Sequence, residues 1–140
     1  MKKLLAILLL IPSLSFAFDI GSVETVGVHT LTRHDPSYGA NDFNLGFYAQ
    51  TDKGYIAGGY FNSIRKMSYY AGWTSPEWNR LNVSFVGVTG YFKPVTFVAV
   101  PSVRLHTFEN GPSIFISGSP VKITEDGQAV LHISASWSLK

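Results

Sequence analysis

The chain has 140 residues, 11 Lys+Arg against 9 Asp+Glu, 14% charged and 14% aromatic residues, and no cysteine. An ordinary globular protein carries about 25% charged residues. The missing cysteines exclude disulfides, thiolate catalysis, cysteine-ligated zinc and an anchor on a lipid-modified cysteine.

Met1-Lys2-Lys3 is a short positive start, the next nine residues are almost wholly apolar, and Ser15 and Ala17 are the small residues of a signal-peptidase site. Residues 1–17 are predicted to be a secretory signal peptide, cleaved after Ala17. The apolar run is too short to be a spanning helix. Residues 18–140 then form a single domain. Lys2 and Lys3 leave with the peptide, so nine basic residues remain against nine acidic ones. A neutral domain gives nucleic-acid binding by a basic surface no support.

No helical pattern, repeat or linker follows. Eight segments of alternating character are separated by Gly, Pro, Asn and Asp clusters, which predicts strands at 22–32, 42–50, 55–63, 67–74, 80–92, 96–107, 113–117 and 128–139. Thr51-Asp52-Lys53-Gly54 is a tight-turn signal, and Glu109-Asn110-Gly111-Pro112 and Glu125-Asp126-Gly127 punctuate later segments. The predicted fold class is all-β: a small antiparallel up-and-down β-barrel of about eight strands.

Alternation divides most strands into two faces. Leu131, Ile133, Ala135, Trp137 and Leu139 oppose His132, Ser134, Ser136 and Ser138. Phe43, Leu45, Phe47 and Ala49 oppose Asn44, Gly46, Tyr48 and Gln50. The fourth segment sets Met67, Tyr69, Ala71 and Trp73 against Ser68, Tyr70, Gly72 and Thr74, and the sixth sets Phe97, Ala99, Val103 and Leu105 against Ser102, Arg104 and His106. The first and seventh segments do not alternate cleanly.

In a soluble barrel or sandwich the apolar face is the core; in an outer-membrane barrel it meets lipid. Small hydrogen-bonding residues, rather than Lys and Glu, dominate the polar faces, which suits a narrow barrel interior. Tyr55, Tyr69, Trp73, Trp78, Tyr91 and Trp137 fall near strand ends, as aromatic girdles do. The expected location is therefore the outer membrane, with the periplasm as the alternative and lipopolysaccharide or membrane lipid as the partner.

Up-and-down topology gathers His29, His34, Asn44, Asn62, Ser63 and His132 toward one rim, and closure of the first strand on the last would bring His132 to His29. An imidazole, a hydroxyl and amide donors are the parts of an acyl-transfer site. The competing reading makes His132 and His106 hydrogen-bonded interior filler and His34-Asp35-Pro36 turn chemistry. No acid cluster accompanies His29 and His34, and no metal or cofactor motif is found. Gly58-Gly59 is read as a site of close approach in a strand.

The stretch His29-Thr30-Leu31-Thr32-Arg33-His34, followed by Asn44-Leu45-Gly46, resembles the active-site region of PagL-type lipid A deacylases. The resemblance implies an eight-stranded outer-membrane barrel and histidine-dependent acyl hydrolysis. Leu31 stands where that family has its serine and Leu45 where it has proline, so the resemblance supplies no nucleophile. Three functions remain: an outer-membrane barrel with a surface-interaction or structural role, a lipid A-modifying acyl hydrolase at the outer rim, or a soluble periplasmic barrel that binds a ligand or an enzyme.

Overall fold

A computed structural model describes residues 19–140 apart from 36, 38 and 120–128. The expected signal peptide and the turn at 125–127 lie outside the described residues. Eight antiparallel strands run in chain order: β1 (Val23–Asp35), β2 (Phe43–Thr51), β3 (Tyr55–Phe61), β4 (Met67–Thr74), β5 (Leu81–Val88), β6 (Thr96–Thr107), β7 (Ser113–Ser119) and β8 (Ala129–Ser138). Each strand pairs with its chain neighbours, and β1 pairs with β8 from Thr25↔Ser138 to Asp35↔Ala129, which closes the barrel. The barrel reading holds and the sandwich does not. One rim, the terminal rim, carries residues 19–22, the turns after β2, β4 and β6, and residues 139–140. The far rim carries the connections after β1, β3 and β5.

The turns follow local chemistry. Gly54 takes φ +86° and returns its N–H to the Thr51 carbonyl at 2.9 Å, as the tight-turn signal predicts. After β4 the chain makes a two-residue turn that the sequence did not announce. Asn79 and Arg80 both have positive φ, while Trp78 and Leu81 exchange backbone hydrogen bonds of 2.8 and 2.9 Å. That is the type I′ hairpin geometry, usually written with glycine in the second place. Arg80, expected inside the fifth strand, belongs to this turn. β5 also stops at Val88, short of the expected 92, because the ladder gives out there: Thr89 N–H still bonds the Tyr69 carbonyl at 2.9 Å, but the Tyr69 N–H goes to the Thr89 hydroxyl at 3.0 Å, and Gly90 turns the chain with φ +86°.

The barrel is polar inside and apolar outside. Among the described residues the buried apolar side chains are Val86 and Val88, while Thr32, His34, Asn44, Asn62, Ser68, Thr74, Ser134 and Ser136 are buried. Phe47 and Phe97 stand 71% and 83% exposed on the outer wall. Exposed Tyr69, Trp73, Trp78 and Trp137 lie toward the strand ends, as the girdle reading expects. Tyr91 does not: its hydroxyl turns into the lumen and meets the Tyr60 hydroxyl at 3.0 Å.

The two strands without clean alternation have distinct causes. In β1 the register with both neighbours shifts between His29 and Leu31. A bulge inverts the parity of a strand, so Thr25, Gly27 and His29 face inward before it and Thr32 and His34 after it. In β7 the strand itself is regular, but Phe115 faces the lumen between Ser113 and Ser117 while Ile114 and Ile116 face out, so both faces carry apolar residues. β6 also shifts between Arg104 and His106. His106 therefore pairs with outward-facing Ile114 and stacks edge-on against Phe108 at 4.5 Å. It is exposed, not interior filler.

At the terminal rim Asp19 forms an ion pair with Lys53 across the turn after β2 and accepts the Gly21 N–H at 2.9 Å. The Lys53 hydrogen bond, then the Gly21 N–H, hold the Asp19 carboxyl below its ordinary pKa, and Asp19 in turn raises that of Lys53. The depressed carboxyl makes the tie complete above the ordinary carboxylate range and lost as pH falls through the folded value; the raised ammonium makes it complete below the ordinary lysine range and lost as pH rises through its folded value. NMR titration should show the Asp19 midpoint moving up in Lys53→Ala; an unmoved midpoint would mean the pair does not form in solution.

Candidate functional site

Closure of β1 on β8 places His29 opposite Ser134 and Thr32 opposite His132. All four face the lumen. His29 Nδ1 lies 2.8 Å from His132 Nε2, His132 Nδ1 lies 2.7 Å from Thr32 Oγ1, and His29 Nε2 lies 2.7 Å from the Tyr70 hydroxyl. The result is one hydrogen-bonded chain, Thr32–His132–His29–Tyr70, across the barrel. Each imidazole donates through one nitrogen and accepts through the other when neutral, so the chain is satisfied with all donors pointing either way.

His29 sits at the centre of an aromatic cluster. Its ring centroid is 5.2, 5.6, 5.7 and 4.9 Å from those of Tyr48, Tyr60, Tyr70 and His132. Glycines make room for these rings. A Cβ on Gly27 would lie 2.2 Å from Tyr48 Cζ, and one on Gly58 would lie 2.8 Å from both Tyr48 Cβ and the Tyr70 hydroxyl. The close-approach reading of Gly58 is therefore correct, and what approaches is tyrosine. Ser136 and Ser134 stand beside the Tyr48 hydroxyl.

The remaining predicted site residues do not join this chain. His34 Nδ1 meets Asp42 Oδ1 at 3.0 Å near the far rim, with His34 buried and Asp42 half exposed. Its carboxylate partner is Asp42 rather than the adjacent Asp35. Asn62 is fully buried and saturated: Nδ2 donates to Ser68 Oγ at 2.9 Å and the Gly90 carbonyl at 3.0 Å, and Oδ1 accepts the N–H groups of Ile64 at 3.0 Å and Lys66 at 2.9 Å. With both donors and both lone pairs occupied, Asn62 is a turn organiser, not a catalytic amide. Ser63 gives its backbone carbonyl to the Asn41 N–H at 2.8 Å and lines the lumen mouth. Asn44 is 3% exposed, and its Nδ2 donates to the Phe61 carbonyl at 2.7 Å. Its Oδ1 is buried without a hydrogen-bond partner.

Sequence reasoning missed Thr32 and the tyrosines. Thr32 was hidden by the β1 bulge, since an odd spacing from His29 normally puts two residues on opposite faces. Tyr48 and Tyr70 already stood on the polar faces beside Gly46 and Gly72; inward glycine next to inward tyrosine was the available signal.

The lumen and its open mouths form a cavity of about 1840 Å3, lined by residues of both rims and of the aromatic cluster. Glu24, Asp52, Lys53, Glu77 and Arg104 line its terminal rim, and Arg65 and Lys93 its far rim. Arg104 reaches Glu77 through Nη2 at 2.6 Å and Nε at 3.1 Å. Among the described residues no charged side chain lines the lumen between the rims, and no group of three or more His, Asp and Glu could hold a metal.

The different states of Asn62 and Ser63 separate structure from chemistry. Asn62→Ala removes four hydrogen bonds and should cost about 2–4 kcal/mol, whereas Ser63→Ala should stay within about 0.5 kcal/mol. Urea unfolding of the two variants measures both, and equal costs would contradict the assignment.

No family model, curated protein or solved structure matches the chain.

Proposed function

We propose that this chain is a bilayer-embedded β-barrel of a bacterial outer membrane, with a structural or interaction role at the cell surface. The observation that carries the reading is the inverted polarity: two buried valines inside, and a continuous outer wall of exposed residues such as Phe43, Leu45, Phe47, Phe85, Phe97 and Leu131. Isolated exposed apolar residues are ordinary, but a monomer in water rarely exposes a belt of this extent. Strands of 7–13 residues, when tilted, match the height of the apolar band of such barrels. The signal peptide supplies the route. Interior packing by rings, with no charge between the rims among the described lining residues, argues for a structural or surface role rather than a wide pore.

Phe47 stands at the middle of β2. Arginine there should cost about 2–4 kcal/mol of folding stability if the face meets lipid, and close to nothing if it meets water. Fractionation of the native protein, with gel mobility before and after boiling, is the companion measurement. An outer-membrane fraction and a heat-dependent shift are expected; release by osmotic shock would give the soluble periplasmic reading instead.

One observation favours a second reading, that of the lipid acyl hydrolase. A hydroxyl bonded to an imidazole whose other nitrogen is held by a third group is the arrangement of nucleophilic acyl transfer. Thr32 would attack the ester carbonyl, His132 would take its proton and pass it to the leaving alcohol, and water would release the acyl group from Thr32. The arrangement differs from the efficient form in two respects: His29 and the phenol Tyr70 stand where a carboxylate would balance the imidazolium, and the hydroxyl opens to the lumen rather than to lipid. Mass spectrometry of lipid A from cells expressing the wild type, Thr32→Val and His132→Ala decides it. The first reading expects one acyl pattern throughout, and a deacylated species present with the wild type alone would replace it.

A further inference from the structure

The lumen has two unlike walls. In the half toward the far rim, β1, β2 and β8 carry the Thr32–His132–His29 chain and Asn44, while β5 and β6 present Val86, Val98 and Val100; nearer the terminal rim the same wall turns polar with Asn82, Ser84 and Ser102. In a ring of eight strands β2 and β6 are four places apart in either direction, hence diametrically opposed. Polar filler alone does not account for this division, because valine offers no hydrogen bond to the imidazoles it faces. The orphan at Asn44 is the second, independent sign. Asn44 lines the lumen, its Nδ2 donates to the Phe61 carbonyl, and its Oδ1 is buried without a donor. A buried acceptor left unmade costs about 1–3 kcal/mol, and such groups are commonly completed by water or a ligand.

We infer that the half of the lumen toward the far rim is a binding site for a slender, uncharged amphiphile whose hydroxyl or amide N–H donates to Asn44 Oδ1 and whose hydrocarbon body lies along Val86, Val98 and Val100. The ligand is uncharged because the lining between the rims offers no counter-charge, and an ion there would be desolvated without compensation. It is slender because the rings of Tyr48, Tyr60 and Tyr70 already occupy part of the cross-section. It has a donor because the unfilled position is an acceptor. The division of polar and apolar walls is the usual composition of a small-molecule site. The inference concerns the lumen alone, so it does not depend on which solvent meets the outer face.

The test is NMR of the full mature chain, folded in detergent micelles and titrated with 1-decanol, decane or decanoate. Decanol should shift the Asn44 side-chain amide and the His132 ring signals saturably. Decane lacks the donor and decanoate carries a charge, so neither should do so. Asn44→Ala should weaken decanol binding about tenfold, read at the His132 ring, which is the loss of about one hydrogen bond. Val98→Thr keeps the side-chain volume and should weaken binding from the opposite wall. Gln50→Ala, in the lumen toward the terminal rim, should leave it unchanged. Heat-dependent gel mobility establishes that each variant is folded. Shifts confined to outward-facing positions such as Phe47 would mean partition into the micelle and would overturn the site. Equal binding of decanoate would overturn the uncharged class, and binding indifferent to both Asn44→Ala and Val98→Thr would overturn the placement. A failure here leaves the Phe47→Arg and fractionation results standing, so the two readings fail separately.

Discussion

Everything inside this molecule follows from the pairing of β1 with β8. Closure removes the free strand edges and encloses a narrow space that bulk water reaches only through the rims. A polar group pointing into that space must find its partner on a neighbouring strand. Thr32 finds His132 across the closing seam, His132 finds His29, and His29 finds Tyr70 on the opposite side of the barrel. A sheet left open between β1 and β8 would lose the seam and the imidazole pair together. The interior network is thus a product of closure and also a reason for it.

Steric accounting is equally tight. Inward tyrosines on β2, β3 and β4 are accommodated because the strands beside them present glycine at the matching height, with Gly27 against Tyr48 and Gly58 between Tyr48 and Tyr70. Protein interiors resist added volume, so these positions set which side chains the lumen can hold. Toward the far rim the lumen carries hydrogen-bonding groups on β1, β2 and β8 and valines on β5 and β6. One set of side chains therefore performs two tasks: it fills the barrel, and it leaves a remainder of defined shape and polarity.

Much of this was legible in the sequence, and the failures are instructive. β4 and β6 have the expected bounds: β4 alternates cleanly from end to end, and β6 is limited by the turn residues that flank it although its register shifts within. The meeting of His29 and His132 followed from topology alone. The sequence did not reveal the saturation of Asn62, because its partners come from its own turn, from Ser68 on β4 and from Gly90 in the turn after β5. Tyr91 looked like a girdle residue because its place near a strand end was visible while its direction was not. Thr32 and His106 were misplaced for one reason: each lies just beyond a shift of register, and alternation counts residues without sensing bulges. The lone Oδ1 of Asn44 is a property of what is absent around it, and no pattern of residues encodes that.

The bulge in β1 has a consequence for how this gene can tolerate change in length. A strand of strict period two carries a phase, and removing one residue ordinarily exchanges its wet and dry faces. β1 already contains one such phase change between His29 and Leu31, with both neighbouring strands adjusted to it. At the seam Thr30 is the extra residue, because His29 pairs with Ser134 and Leu31 with the very next residue, Ile133; deleting Thr30 would give β1 a uniform phase with His29, Thr32 and His34 still inward, whereas deleting Val28 or Arg33 would turn a lumen-facing residue outward. Thr30 has an ordinary side chain whose hydroxyl bonds the Ile133 carbonyl at 2.7 Å. Its contribution is arithmetic: it is the residue that the seam does not count, and the place where this strand can lose a residue and keep its two faces.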